Sequence, residues 1–281
     1  MSTNNDQPSD SPIMKAYKNQ EFLNSALARS IRVQCELLET EQRLQKFGID
    51  NTIVMFGSSR IQDPETASRN LESIEKEIAH SAKPTPEQSK RLLATKQQIK
   101  NAKYYDAALS LAQSLTEWSH TIEDPKNHFY ICSGGGPGIM EAANRGASFA
   151  GGKSIALGIS LPFEQGLNPH ITQELGFEFH YFFIRKFWFL YLAKALIIFP
   201  GGFGTMDELF EMLTLLQTRK TNKYIPIVLF GSEFWKDIIN FENLIKWEVI
   251  AEEDLLLFKV LDSVEEAKDY IIHEIKNHYL K

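Results

Sequence analysis

Hydrophobic and polar positions follow two different periods along this chain. From Glu21 to Phe47, apolar residues recur at helical spacing (Phe22, Leu23, Ala26, Ile31, Val33, Leu37, Leu38, Leu44), which predicts one or two amphipathic helices ending near Gly48. The period then changes. Thr52-Ile53-Val54-Met55-Phe56 is a short, β-rich apolar run that empties into Gly57-Ser58-Ser59-Arg60, the profile of a buried strand followed by a small-residue turn. Residues 63–102 are highly charged, nearly free of aromatics and broken by Pro84 and Pro86, so they predict two solvated helices or a helical hairpin inserted after that strand, a satellite to the core. Tyr104 to Trp118 is helical by period. Phe129-Tyr130-Ile131-Cys132 reads as a second buried strand that stops at Ser133-Gly134-Gly135-Gly136-Pro137-Gly138, with a helix directly after it. Strands at 154–160, about 177–182, 195–199 and 225–230 then alternate with helices at 184–193, 205–218 and 234–248, and Val260 precedes a last helix at 263–277. Such alternation predicts an α/β fold, a doubly wound parallel sheet with N-terminal helices and a helical insertion after the first strand.

Residues 1–13 are rich in Ser, Asn, Asp and Pro and are read as a disordered tail, leaving 14–281 as a single domain with N-terminal helices at 14–50 and the insertion at 63–102. Hydrophobic residues at 43% and charged residues at 23% exclude a wholly disordered, collagenous or coiled-coil chain. Lys+Arg 30 against Asp+Glu 36 leaves a net charge of −6, so no net field draws the chain to nucleic acid or an anionic membrane. The opening MSTNNDQPSDSP lacks an apolar segment, and neither a secretory signal nor an anchor is expected. Phe187 to Ala193, the greasiest stretch, lies between Lys186 and Lys194 and falls far short of the roughly 20 residues a bilayer requires. Cys35 and Cys132 match no metal-ligand spacing and the histidines, His170, His180 and His273 among them, form no ligand constellation, so a metal site is not expected and a reducing, cytoplasmic location is.

The candidate chemistry lies in three turns. Gly57 to Ser59, Gly134 to Gly138 and Gly201 to Thr205 each follow an apolar strand, and in a parallel sheet strand C-termini share one edge, so the three should converge. Glycine lets main-chain N–H groups approach an anion, and a helix start adds partial positive charge, which makes a phosphate the expected guest. Neither longer turn is a P-loop, and Glu141 and Asp207 occupy the place of the third glycine of a dinucleotide fingerprint, which argues against nicotinamide chemistry. Glu208 and Glu211 lie three apart and share a helix face beside that turn, whereas Asp207 points elsewhere. A carboxylate there can grip ribose hydroxyls and stabilise charge at the anomeric carbon. Phe182-Phe183-Ile184-Arg185-Lys186-Phe187-Trp188 sets two cations in an aromatic run; Arg185 can hydrogen-bond a leaving base or a phosphate, stacked aromatics could hold a purine, and Lys186 fits equally a cation snorkelling to water. Cys132 reads as a small core residue.

The succession Gly57-Ser58-Ser59, Gly134-Gly135-Gly136-Pro137-Gly138-Ile139-Met140-Glu141, Arg185-Lys186 and Pro200-Gly201-Gly202-Phe203-Gly204-Thr205-Met206-Asp207-Glu208 resembles, in order, the motifs of the Lonely Guy family, cytokinin riboside 5′-monophosphate phosphoribohydrolases within a group often labelled possible lysine decarboxylases. The resemblance covers about residues 51 to 250. It implies hydrolysis of a nucleoside 5′-monophosphate to free base and ribose 5-phosphate, without metal or other cofactor, on a Rossmann-like sheet in a homodimer or larger homo-oligomer. By position, Arg185 and Glu208 match the catalytic pair and Gly201 to Thr205 the phosphate turn. Substrate contacts are expected from Gly57, Ser58, Ser59, Gly135, Gly136, Gly138, Glu141, Lys186, Gly201, Gly202, Gly204, Thr205 and Glu211. The N-terminal helices, the insertion and Phe182-Phe183 in place of the usual Met-His resemble the longer bacterial subgroup, so an AMP-like or other purine or pyrimidine monophosphate is as fitting a substrate as a cytokinin precursor. Nothing marks a lysine as a pyridoxal-phosphate Schiff base. The alternatives are a non-catalytic carrier of a phosphorylated ligand, similar to molybdenum-cofactor carrier proteins, and a transferase that passes the ribosyl group to an acceptor other than water.

Overall fold

A computed structural model describes residues 13–80, 83–160 and 166–280. The tail expected at 1–13 therefore lies outside the described residues except for Ile13. Seven parallel strands form one sheet: β1 (Thr52–Phe56), β2 (Tyr130–Ser133), β3 (Ser154–Ile159), β4 (Gly176–Phe179), β5 (Ala193–Ile198), β6 (Ile227–Phe230) and β7 (Lys259–Leu261), in the spatial order β4-β3-β2-β1-β5-β6-β7. The chain winds outward from β1 to β4, crosses back to β5 on the other side of β1, and winds outward again. This is the doubly wound, Rossmann-like α/β fold the alternating pattern predicts, and its switch point falls between β1 and β5.

Both sheet faces are covered, which is why the strands are apolar on both sides. Val54, Phe56, Leu196 and Ile198 face one core with Trp188 and Phe189 of α6 (Phe182–Tyr191) and Leu209 and Met212 of α7 (Phe203–Gln217). Ile53, Met55, Ala195 and Ile197 face the other with α4 (Pro86–His120), α5 (Ile139–Phe149) and α10 (Val264–Tyr279).

Before β1 come α1 (Gln20–Asn24) and α2 (Arg29–Lys46), and Gly48 takes a φ of 67° just past the end of α2, the left-handed turn that favours glycine. The Arg43 guanidinium of α2 lies 3.9 Å from the Phe177 ring centroid and donates to the Gly176 carbonyl, while the Glu36 carboxylate accepts from the His180 and Tyr181 amides at the entrance to α6.

The insertion differs from its expected form in one respect. Its first helix is α3 (Pro64–Ala79), capped by Asp63, but its second does not stop at 102: a capping box at Thr85 and Gln88 starts α4, which runs unbroken through the segment expected as a separate helix at 104–118. Its buried residues begin at Ala102 and continue through Tyr104, Tyr105, Ala108 and Leu111. One helix is thus half solvated arm and half core, because nothing in its sequence interrupts the backbone between the two compositions. A second correction concerns 234–248. The single helix expected there is α8 (Ser232–Ile238) and α9 (Phe241–Lys246), separated where Ile239 is extended and Asn240 caps the next turn.

Candidate active site

The switch point gathers the three small-residue turns. The β1–β5 ladder runs on past the strands: Phe199 N donates to Phe56 O at 2.8 Å and Ser58 N to Pro200 O at 2.9 Å, while Ile139 N, opening α5, donates to Ser58 O at 3.1 Å. Ser58 thus spends both of its main-chain groups splicing the first turn to the other two. The close approach dictates glycine at two places. A side chain at Gly57 would meet Ile139, and one at Gly138, whose φ is 72°, would strike the main chain of Ser58 and Ser59.

Beneath Gly134 to Gly138 lies a buried polar network that the sequence did not announce. Ser133 Oγ accepts from Gly135 N at 3.0 Å and donates to Asn144 Oδ1 at 2.7 Å; Asn144 Nδ2 donates to Ser154 Oγ and to Ile155 O. Asn168 Nδ2 reaches Gly135 O at 3.0 Å, Gly136 O at 3.2 Å and Asn144 Oδ1 at 2.9 Å. Ser133, Asn144, Ser154 and Asn168 are all buried, so the network satisfies groups whose desolvation would otherwise cost about 1–3 kcal/mol each. Asn144 carried a faint signal as the polar member of a buried stripe with Ile139, Ala142, Ala143 and Ala147, whereas Asn168 carried none.

The third turn opens α7. Gly202 is its N-cap and offers no side chain, and Met206 N makes the first intrahelical bond to Gly202 O, leaving the Phe203, Gly204 and Thr205 amides without a main-chain partner among the described residues. A side chain at Gly201 would collide with buried Thr205.

Against this helix start stands α6 with the two predicted cations. Arg185 donates through Nε to Leu157 O at 2.8 Å, lies over the Phe189 ring, and places Nη2 where a side chain on Gly134 would be. Lys186 does not snorkel to water. Its ammonium sits 2.6 Å from Glu211, 2.8 Å from Asp207 and 3.8 Å from Glu208. This corrects the expectation that Asp207 points elsewhere: Lys186 reaches in from α6 to all three acids of the second and third turns of α7. Burial alone would lower the Lys186 pKa, but hydrogen bonds to Asp207 and Glu211 outweigh it and raise it. A Schiff-base lysine requires a neutral amine, so the shift runs against that chemistry.

Glu208 is 5% exposed, and its Oε2 has no hydrogen-bond partner among the described residues. Burial pushes its carboxyl up to about 7, with Lys186 and Arg185 pulling down and Glu211 and Asp207 pushing up. Beside it an open groove of about 500 Å³ is lined by Lys186, Phe203, Met206, Asp207, Phe210 and Glu211.

Of the residues named from sequence, the structure therefore brings together Arg185, Lys186, Glu208 and Glu211. Glu141, in the first turn of α5, has His170 at 3.9 Å, so that histidine is not isolated as expected. Burial raises the Cys132 thiol pKa, in keeping with a core residue. Gly135, Gly136 and Ser59 belong to the turns, and Gly204 is open on its side-chain face.

Residues 140–271 match the model of a family described as "Possible lysine decarboxylase". The matched stretch contains Arg185, Lys186, the α7 turn and its acids. A pyrimidine/purine nucleotide 5′-monophosphate nucleosidase of Escherichia coli (strain K12) is 31% identical over 113 residues, covering 36% of this chain and 24% of that protein. The match thus spans about a quarter of the relative's length. Among solved structures, a structural-genomics target designated TM1055 is 18% identical with a TM-score of 0.47, covering 79% of this chain and 99% of its own. The Moco carrier protein of Chlamydomonas reinhardtii is 16% identical with a TM-score of 0.43, covering 81% and 99%. Among the described residues no helix is long and apolar enough to cross a membrane.

Proposed function

We propose that this protein hydrolyses the N-glycosidic bond of a nucleoside 5′-monophosphate, releasing free base and ribose 5-phosphate. The observation that carries the reading is Glu208: a carboxyl buried beside a helix N-terminus with bare amides, faced by Arg185 and Lys186, and balanced near neutrality at about 7. The nucleosidase relative supports the same class of reaction. The 5′-phosphate docks on the α7 start, where the Phe203, Gly204 and Thr205 amides and the helix dipole meet it, with the Gly134 to Gly138 turn alongside. This pins the ribose next to Glu208. As the glycosidic bond stretches, positive charge grows on the anomeric carbon and the ring oxygen, and the Glu208 carboxylate stabilises it. Arg185 donates a hydrogen bond to the departing base, water attacks the exposed face of the sugar, and the proton that this water gives up, passed on through solvent, ends on the base nitrogen freed by the broken bond.

Lys186 has a supporting part. It holds Asp207 and Glu211 so that neither repels the phosphate freely, and it draws Glu208 toward ionisation. Phe203 lines the groove with its side chain exposed and offers a stacking surface for the base, and Phe182 and Phe183 are exposed at the start of α6. They also supply an apolar face for self-association, which is the expected homo-oligomeric state.

The test is to incubate AMP, GMP, CMP and an isopentenyladenosine monophosphate with wild type and Glu208→Gln and to assay ribose 5-phosphate. Wild type releases it and the variant does not. Equal release by both removes Glu208 from the mechanism, and retention of an intact ligand by wild type without release favours a carrier.

A further inference from the structure

We propose that Asn168 is a positioning residue for the phosphate end of the site, holding the Gly134 to Gly138 turn so that the Gly136 N–H faces outward as an anion donor. The inference rests on the phosphate-binding reading above and adds a donor and its support to it.

The geometry is a matter of peptide planes. Gly135 O accepts two hydrogen bonds from one residue, from Asn168 N at 2.8 Å and from Asn168 Nδ2 at 3.0 Å, and Gly136 O accepts a third at 3.2 Å. In a trans peptide the N–H of the next residue points opposite to the carbonyl. No cis peptide is present among the described residues. Pulling the Gly135 carbonyl down onto Asn168 therefore turns the Gly136 N–H away from the network. That amide has no hydrogen-bond partner among the described residues, and Gly136 is partly exposed while Gly134, Gly135 and Gly138 are buried. The Gly136 carbonyl is likewise drawn down, which removes a negative dipole from the face where an anion would sit. Pro137 has no N–H to contribute.

Asn168 has only one orientation that works. Its Nδ2 faces three acceptor oxygens, Gly135 O, Gly136 O and Asn144 Oδ1, while its Oδ1 accepts from the His170 amide at 3.1 Å. A flipped amide would set oxygen against oxygen three times. Asn144 is locked in turn by Ser133 and Ser154, and a side chain at Gly135, whose φ is 74°, would collide with Leu167, the residue before Asn168. Segment 167–168 and the turn are thus fitted to one another, and the turn's outward face is fixed before a ligand arrives, which is how preorganised donors gain their advantage.

The experiment separates phosphate recognition from general damage. Ribose 5-phosphate binding is measured by calorimetry for wild type, Asn168→Ala and Asn168→Asp, together with KM and kcat for AMP and turnover of adenosine, which lacks the phosphate. The expected result is a rise of about tenfold in the ribose 5-phosphate Kd and in KM for AMP, the scale of one charge-assisted hydrogen bond, with kcat and adenosine turnover within about twofold of wild type. In the wild type, with no substitution to fold, titration of ribose 5-phosphate shifts the Gly136 amide resonance downfield. Unchanged Kd in a folded variant, an unmoved Gly136 resonance, or equal losses for AMP and adenosine would overturn the proposal while leaving phosphoribohydrolysis standing. A wild type that neither binds ribose 5-phosphate nor cleaves AMP overturns the broader reading, and this inference with it.

Discussion

The two helix-opening glycine turns of this protein sit side by side and are built on opposite principles. Gly134 to Gly138 is backed by a neutral, buried and satisfied lattice of Ser133, Asn144, Ser154 and Asn168, so its shape is set by sterics and uncharged hydrogen bonds. Gly201 to Thr205 leads into a helix whose first turns carry three acids gathered on Lys186, one of them buried with its carboxyl raised to about 7. The first turn can hold an anion without caring about pH. The second couples whatever it binds to a proton equilibrium, which is the property a reacting centre needs.

The sharpest way to break the contrast is Glu208→Gln. Activity should fall by roughly 10²–10³ or more, the cost typical of losing one preorganised electrostatic partner of a transition state. Stability should move the other way. Because the folded-state pKa of about 7 lies above the ordinary 4.5, the native protein keeps a proton that the unfolded chain has lost, and wild type loses stability as pH rises from about 4.5 through 7. Glu208→Gln escapes this cost, so its Tm should exceed that of wild type at pH 8, by the equivalent of about 1–3 kcal/mol, and the gap should close near pH 4. Thermal melts at the two pH values check it. In wild type, kcat/KM should climb as pH rises through about 7, since the carboxylate form is the active one; a profile that falls there would assign Glu208 to proton donation instead.

Gly138→Ala attacks the other turn. With φ at 72° and the Ser58–Ser59 main chain in the way, it should destabilise by about 1–3 kcal/mol in denaturant melts, to the same extent at pH 6 and pH 8. Lys186→Met should leave the fold intact but remove a charge that draws Glu208 toward ionisation, moving the midpoint of the pH–rate profile to higher pH by about one unit. The smallest effect belongs to Ser133→Ala. It deprives Gly135 N and Asn144 Oδ1 of one partner each and should cost about 1 kcal/mol of stability with no change in the pH profile.

The differences in legibility follow the same division. Strands buried on both faces must be continuous apolar runs, so β1, β2, β3 and β5 could be read within a residue or two, and strand-to-helix glycines marked the sheet edge where the three turns converge. Arg185, Glu208 and Glu211 were legible because ionisable groups beside an anion-type turn are chemically conspicuous. Asp207 was misjudged by a face argument that treated α7 as isolated, whereas Lys186 reaches in from another helix and closes on it. Asn168 and Glu36 left no trace, since a neutral or acidic residue in a polar stretch looks the same whether it faces water or a main-chain group far along the chain. The 234–248 break was invisible for a related reason: Ile239 suits a helix as well as an extended link.

By itself the sequence determined the period of each element, the doubly wound order of strands and helices, and which edge of the sheet carries bare amides, because these depend on local sterics and on burying apolar faces. Only the tertiary structure decided which charges meet. The Lys186 cluster, the raised carboxyl of Glu208 and the lattice beneath Gly134 to Gly138 arise from distances of a few ångströms between residues far apart in the chain, and the electrostatics of a buried group exist only once its surroundings have excluded water.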